Sequence, residues 1–143
     1  MNSKLLLRKW DDLPFSMKNE SVRRYYEILK YKSVSLFLKR LFDILLAILA
    51  LIILSPIFLI ISIVIKIDSK GPVIFRQIRV TQYGKQFKIF KFRTMVNNAE
   101  KIGAQVTTKH DARVTKVGKL LRKLRLDEIP QLLNVLSGDM TFV

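Results

Sequence analysis

The chain has 143 residues, with 26 Lys and Arg against 11 Asp and Glu, a formal net charge of +15, 50% hydrophobic residues and no Cys. That length suits one domain with a modest core plus an appendage, and the lack of thiols excludes disulfides, thiolate metal sites and cysteine nucleophiles. So strong a positive field draws anionic partners, whether nucleic acid, an anionic membrane surface or a phosphorylated substrate, and the many apolar residues beside it must be segregated along the chain.

The first twenty residues, with Asp11, Asp12 and Pro14, read as irregular. No apolar run of signal-peptide length occurs before the main apolar segment, so no cleaved export signal is expected. Residues 21–38, "SVRRYYEILKYKSVSLFL", place Val22, Tyr25, Leu29, Ser33 and Leu36 at helical steps with Arg23, Arg24, Lys30 and Lys32 largely elsewhere. This pattern predicts a basic amphipathic helix, either lying on anionic lipid headgroups or packed as an ordinary surface helix.

From Ile44 to Ile65 the sequence runs 22 residues without a charge, about 33 Å as a helix, which matches a hydrocarbon core of about 30 Å. Ser55 and Pro56 stand at its midpoint. Proline removes a backbone hydrogen bond and kinks a helix, and the neighbouring hydroxyl satisfies part of what is freed. Lys39 and Arg40 precede the segment and Lys66 and Lys70 follow it. A spanning helix would export one basic flank against the positive-inside tendency, whereas a helix that enters, breaks at Ser55-Pro56 and returns keeps both flanks inside. A Pro-kinked single span and a re-entrant hairpin both remain open on these residues alone.

"DSKGP", 68–72, reads as a turn, "VIFRQIRV", 73–80, as a half-buried strand, and "TQYGKQ" as a hairpin turn around Gly84. The second strand, "FKIFKFRT", would put Phe87, Ile89, Lys91 and Arg93 on one face and Lys88, Phe90, Phe92 and Thr94 on the other. Cations interleaved with aromatics suit a nucleic-acid surface, a phosphate pocket or solvated lysines beside a core. Residues 96–110 predict a short helix or loop, and His110, the only histidine, has no partner spacing for a metal and is expected at the surface.

"TKVGKLLRKLRL" sets Val117, Leu120, Leu121 and Leu124 on a helical face surrounded by Lys116, Lys119, Arg122, Lys123 and Arg125. The period breaks at Asp127, Glu128 and Pro130 and resumes as "QLLNVLSG", with Gly138 as the stop. Asp127 is therefore expected at the N-cap of a second helix, where its carboxylate would satisfy orphan amides and have its pKa lowered. An N-cap explains an acid there without any catalysis. The same geometry also suits chemistry: cations gather a diphosphate, one carboxylate attacks phosphorus and the other holds a divalent cation.

In order, "KRLFD", the Ser-Pro pair, "GPVIFRQIRV", "FKIFKFRTM", "DARVTKVGKLLR", "LRLDEIPQLLNV" and "GDM" resemble the bacterial sugar transferases, over about residues 38–143. The similarity is to the small monotopic phosphoglycosyl transferases that begin polysaccharide or glycan assembly, including exopolysaccharide and capsule, on undecaprenyl phosphate. The resemblance implies an α+β, membrane-associated fold in three parts: an extension over 1–38, a re-entrant helix over 39–67 broken at Ser55 and Pro56, and a cytoplasmic catalytic core over 68–143 with a β-hairpin and helices. It implies a monotopic protein on the cytoplasmic face of the bacterial inner membrane. The implied activity is transfer of a sugar phosphate from a UDP-sugar to the polyprenyl phosphate with release of UMP.

By that similarity Asp127 is the nucleophile, Glu128 the Mg²⁺ ligand and Arg122 a phosphate holder, with Lys91 and Arg93 of "KFRT" in phosphate-binding or structural roles. Lys39 and Arg40 match the family's basic pair beside the membrane helix, and Asp43 its early acidic position. Family members continue past "GDM" with a Gly-Pro-Arg-Pro loop, so this sequence is expected to be the N-terminal part of such an enzyme. The rival reading is a non-catalytic, membrane-anchored basic module that binds anionic lipids or a partner. Nucleic acid is not expected as a partner, because a lipid-seeking segment has no purpose there; the sugar and the oligomeric state stay open.

Overall fold

A computed structural model describes residues 7–81, 84–99 and 111–142. His110 and most of the 96–110 segment lie outside the described residues. Two short 3₁₀ turns, Trp10–Asp12 and Phe15–Met17, lead to helix α1, Glu20–Tyr31. Asn19 starts α1 as an N-cap, its side chain accepting from the Val22 amide at 2.9 Å. The expected helix over 21–38 is in fact two. Lys32 closes α1 with its amide on the Leu29 carbonyl at 3.0 Å, and helix α2 begins at Ser33. The apolar period runs on across this one-residue joint, so it left no mark in the pattern.

Helix α2, Ser33–Asp68, is 36 residues long, about 54 Å. It is long and apolar enough to cross a membrane, and Ile48, Leu49, Ile52, Ile53, Leu59 and Ile60 are exposed along it. The expected break at Ser55-Pro56 is not a gap between two helices: the helix continues through Pro56. Its local chemistry explains how. Pro56 has no amide for the Ile52 carbonyl, and the Ser55 hydroxyl donates to that same carbonyl at 2.8 Å.

Only one stripe of α2 is buried, comprising Asp43, Ala47, Ile61 and Ile65. At 100° per residue these share a face, and Pro56 lies on the opposite, exposed side. Lys39 Nζ reaches Asp43 Oδ2 at 3.1 Å. Ile61 and Ile65 join Phe92 and Leu121 in the core, flanked by Phe58, Val73, Ile74, Val117, Leu126 and Ile129. The apolar helix therefore supplies part of the core of the polar region.

Strands β1, Ile74–Val80, and β2, Gln86–Phe92, form an antiparallel hairpin registered from Ile74↔Phe92 to Val80↔Gln86. Gly84 takes φ +71° in its turn, a left-handed conformation suited to glycine. A two-stranded sheet is marginal alone. Here Phe92 packs on Phe58 with ring centroids 4.6 Å apart, and Asn134 closes the outer edge of β2. That side chain accepts from the Phe90 amide at 2.9 Å and donates to the Lys88 carbonyl at 2.8 Å, as a third strand would.

Helix α3, Lys116–Lys123, is capped by Thr115, whose side chain accepts from Gly118 N at 2.9 Å. Arg113 grips the Asp111 carboxylate through Nε at 2.9 Å and Nη2 at 2.6 Å, which fixes the approach to α3 and holds the Asp111 carboxyl at about 2, below the usual carboxylate range. A 3₁₀ helix, Leu126–Gln131, and helix α4, Leu132–Ser137, complete the described chain, and Gly138 ends α4 at φ +82°.

Gly118 is the closest approach in this arrangement. A Cβ built there would clash with the Thr94 carbonyl oxygen and lie 2.7 Å from its carbon, both backbone atoms that cannot swing aside. Gly118→Ala should therefore lower the unfolding midpoint of the detergent-solubilised chain by the equivalent of roughly 1–3 kcal/mol. Lys119→Ala, at an exposed site on the same helix, should change it by no more than about 0.5 kcal/mol.

Candidate active site

The polar groups gather where β2 leaves the sheet, α3 ends and the 3₁₀ helix begins. Lys91 Nζ contacts Glu128 Oε1 at 2.9 Å, and Arg125 Nη1 lies 3.9 Å from the same oxygen. Arg122 is anchored by Nε on Thr94 Oγ1 at 2.8 Å, and its two terminal nitrogens have no hydrogen-bond partner among the described residues. Asp127, 9% exposed, lies within reach of the Lys91 and Arg122 charges.

The expected N-cap is corrected here. Helix α4 starts only at Leu132, and Asp127 lies inside the tighter 3₁₀ helix, which has no side-chain cap bond. Arg125, at φ +58°, turns the chain sharply after α3. That left-handed conformation costs a non-glycine residue energy, and with it the following carboxyl is carried inward instead of onto a helix end. The direction of the pKa shift reverses accordingly. Burial pushes the Asp127 carboxyl above the ordinary carboxylate range; Lys91 opposes this, the Glu128 charge adds to it, and Arg122 opposes it more weakly.

Of the residues singled out in the sequence, Lys91, Arg122, Asp127 and Glu128 come together. The others have different contacts. Arg93, 6% exposed, donates through Nη2 to the Ser69 carbonyl at 2.6 Å and to Ser69 Oγ at 2.8 Å, tying β2 to the end of α2. Its Nε and Nη1 are buried without a hydrogen-bond partner among the described residues. Burial lowers the Arg93 pKa, against the neighbouring Asp68 charge. Arg40 donates through Nη1 to the Val135 carbonyl at 2.7 Å and through Nη2 to the Leu136 carbonyl at 2.9 Å, clamping the last turn of α4. Ser55 and Pro56 stand in the exposed apolar run of α2.

Two residues that organise the site escaped the sequence reading. Thr94 orients Arg122, and the fully buried Asn134 holds β2 on the site's other side. Asn134 did leave a trace, as the one polar side chain in the apolar "LLNVL". Among the described residues no three His, Cys, Asp or Glu side chains converge as metal ligands. Asp127 and Glu128 alone suit Mg²⁺ in the mode where one or two carboxylates hold it and substrate phosphates complete the shell.

Comparison with known proteins places the sequence. The bacterial sugar transferase family matches residues 34–143. The chain is 50% identical over 107 residues to the UDP-N-acetylgalactosamine-undecaprenyl-phosphate N-acetylgalactosaminephosphotransferase of Aeromonas hydrophila, covering 75% of this chain and 25% of that protein. It is 50% identical over 112 residues to the UDP-glucose:undecaprenyl-phosphate glucose-1-phosphate transferase of Klebsiella pneumoniae, covering 77% of this chain and 24% of that one. With the exopolysaccharide production protein PSS of Rhizobium leguminosarum bv. phaseoli the identity is 44% over 111 residues, 77% of this chain and 56% of its relative. The chain thus spans about a quarter to just over half the length of these relatives. With the family matched across more than half of its residues, including the "LDE" turn and the apolar helix, the chain belongs to the bacterial sugar transferase family.

Proposed function

We propose that this chain carries the nucleophilic part of a phosphoglycosyl transferase that moves a sugar phosphate from a UDP-sugar to undecaprenyl phosphate. The observation that carries the reading is a buried carboxyl with a raised pKa, Asp127, set between Lys91 and Arg122 in a chain whose relatives bear the names of undecaprenyl-phosphate sugar phosphotransferases. A poorly solvated carboxylate is a better nucleophile than one in water. In this reading an Asp127 oxygen attacks the β-phosphorus of the UDP-sugar, and the bond to the bridging oxygen breaks. UMP leaves with that electron pair, and the sugar phosphate stays on Asp127 as an acyl phosphate. An oxygen of the polyprenyl phosphate then attacks the same phosphorus and restores the carboxylate. Arg122 and Lys91 would hold the phosphates through charge-assisted hydrogen bonds. Glu128, with Asp127 beside it, would hold Mg²⁺, which when bound neutralises diphosphate charge.

The proposed setting is the cytoplasmic face of the bacterial inner membrane, with α2 re-entrant. Support comes from its two ends, which are tied to one polar unit: Arg40 to α4 at one end, Ser69 to Arg93, the residue after β2, at the other. A spanning helix would separate those ends by about 30 Å of hydrocarbon. The position of Pro56 agrees. A proline ring pushes the turn before it away, bending the helix from its own side, and Pro56 faces away from the polar unit.

Five measurements test this. In the chain extended to its relatives' length, Asp127→Asn should cut turnover by several orders of magnitude. A UDP-sugar labelled in its β-phosphate, without lipid acceptor, should leave label on the wild type and none on Asp127→Asn. Because the folded carboxyl has a raised pKa, its ionisation costs stability, a cost absent below the ordinary Asp pKa and growing as pH rises through the folded value. Asp127→Asn should then be at least as stable as wild type at neutral pH, with a flatter stability-pH profile, and full activity in it would refute the nucleophile. Glu128→Gln should slow the reaction and weaken its Mg²⁺ dependence in a metal titration. For topology, single cysteines at exposed Ser35 and Lys70 should both resist a membrane-impermeant thiol reagent on intact cells and react after lysis, and labelling of either in intact cells would exclude the hairpin.

A further inference from the structure

Helix α1 lies before the region matched by the family, which begins at residue 34, and the reaction proposed above leaves it without a task. None of its described side chains is buried. Viewed down its axis, Ile28, Tyr25, Leu29, Val22 and Tyr26 form one apolar arc, while Lys30, Arg23, Glu27, Glu20 and Arg24 form the other. Half of the apolar arc is covered by the chain before it: Trp10 packs edge-on against Tyr26 at 5.3 Å, and the Arg23 guanidinium lies 5.9 Å from the Trp10 ring centre. The other half is open, with Tyr25 68% and Ile28 48% exposed. This open strip leads through Lys32 into exposed Val34, Phe37 and Leu38 at the start of α2.

Composition points to the occupant. Residues 18–40 hold seven basic side chains against two acidic ones. The single Trp of the chain and three of its four Tyr fall between residues 10 and 31, directly before the apolar helix. Tryptophan and tyrosine gather at the membrane–water interface, where an apolar ring and a polar edge are both satisfied, and basic residues beside them meet anionic headgroups. A soluble protein partner would need none of this aromatic concentration at the mouth of a lipid-seeking helix.

We infer that residues 10–32 form an interfacial anchor that lies on anionic lipid headgroups, with Tyr25, Ile28 and Leu29 dipping into the acyl boundary and Arg24, Lys30 and Lys32 on the phosphates. The inference rests on the reading of α2 as a membrane helix. It adds a salt-sensitive attachment that precedes the family region.

Trp10, as the only tryptophan, is a built-in reporter. The full chain is placed in nanodiscs of phosphatidylcholine alone or phosphatidylcholine with phosphatidylglycerol, each doped with a brominated lipid that quenches nearby indole. Quenching should be stronger with phosphatidylglycerol, and high salt should reverse the difference by screening. The triple variant Arg24→Gln, Lys30→Gln, Lys32→Gln, which leaves the Arg23–Trp10 contact intact, should lower partition of the segment onto the anionic surface by about a hundredfold and return quenching to the phosphatidylcholine level. Tyr25→Ser with Ile28→Ser should do the same by removing the apolar strip. Equal quenching in both lipids, or no response to the triple variant, would overturn the anchor. Co-flotation with vesicles at high salt keeps the two readings apart: loss of flotation would strike at α2, whereas an indifferent Trp10 on a chain that still floats would strike only at α1.

Discussion

The attachment of one apolar helix to a small polar unit at both of its ends is the constraint from which the rest of this structure follows. Ile61 and Ile65 complete a core that Phe92, Leu121 and their neighbours leave open. At the other end Arg40 neutralises the carbonyls that close α4. Neither contact is available to a helix that merely anchors a separate domain. The apolar helix therefore doubles as core for the polar region, and a site built on β2, α3 and the 3₁₀ helix is held in register with it.

Strand β2 carries that register into the site. Within four residues Lys91 reaches Glu128, Arg93 reaches Ser69 at the end of α2, and Thr94 holds Arg122. Asn134 supplies the edge pairing that a lone hairpin lacks, and its backbone carbonyl also accepts from Asp139 and Met140. Gly118 lets α3 settle on the Thr94 backbone. A displacement anywhere along residues 91–94 would therefore be felt both at α2 and at the carboxylates. Stability is given up beside the site, at Arg125 in a left-handed turn and at Asp127 ionising out of water. Such costs persist where the surrounding structure over-determines them, and they concentrate at functional sites.

Much of this was legible in the residues themselves. The apolar run, the hairpin around Gly84 and the two helical stretches flanking "LDE" follow from period and punctuation, which are local properties. The Ser-Pro pair belongs here too, because Ser55 reaches a carbonyl three residues back, so its compensation of Pro56 needs nothing beyond the helix. Charge and composition likewise sufficed to separate the long apolar helix from the polar segments.

Tertiary structure alone decided what the polar residues do. "LDE" looks like a helix start because acids favour that position, and only the turn at Arg125 together with the packing of Leu126 and Ile129 moved Asp127 inward and reversed its pKa shift. Arg93 and Arg122 are equally basic in sequence, yet one donates through a terminal nitrogen to Ser69 at the end of α2 and the other through Nε to Thr94 beside the carboxylates. Asn134 pairs with a strand 44 residues away and Arg40 with carbonyls 95 and 96 residues away. Periodicity reports which face of an element avoids water. It carries no information on which distant partner meets that face, because burial and hydrogen bonding are settled by segments that the sequence keeps apart.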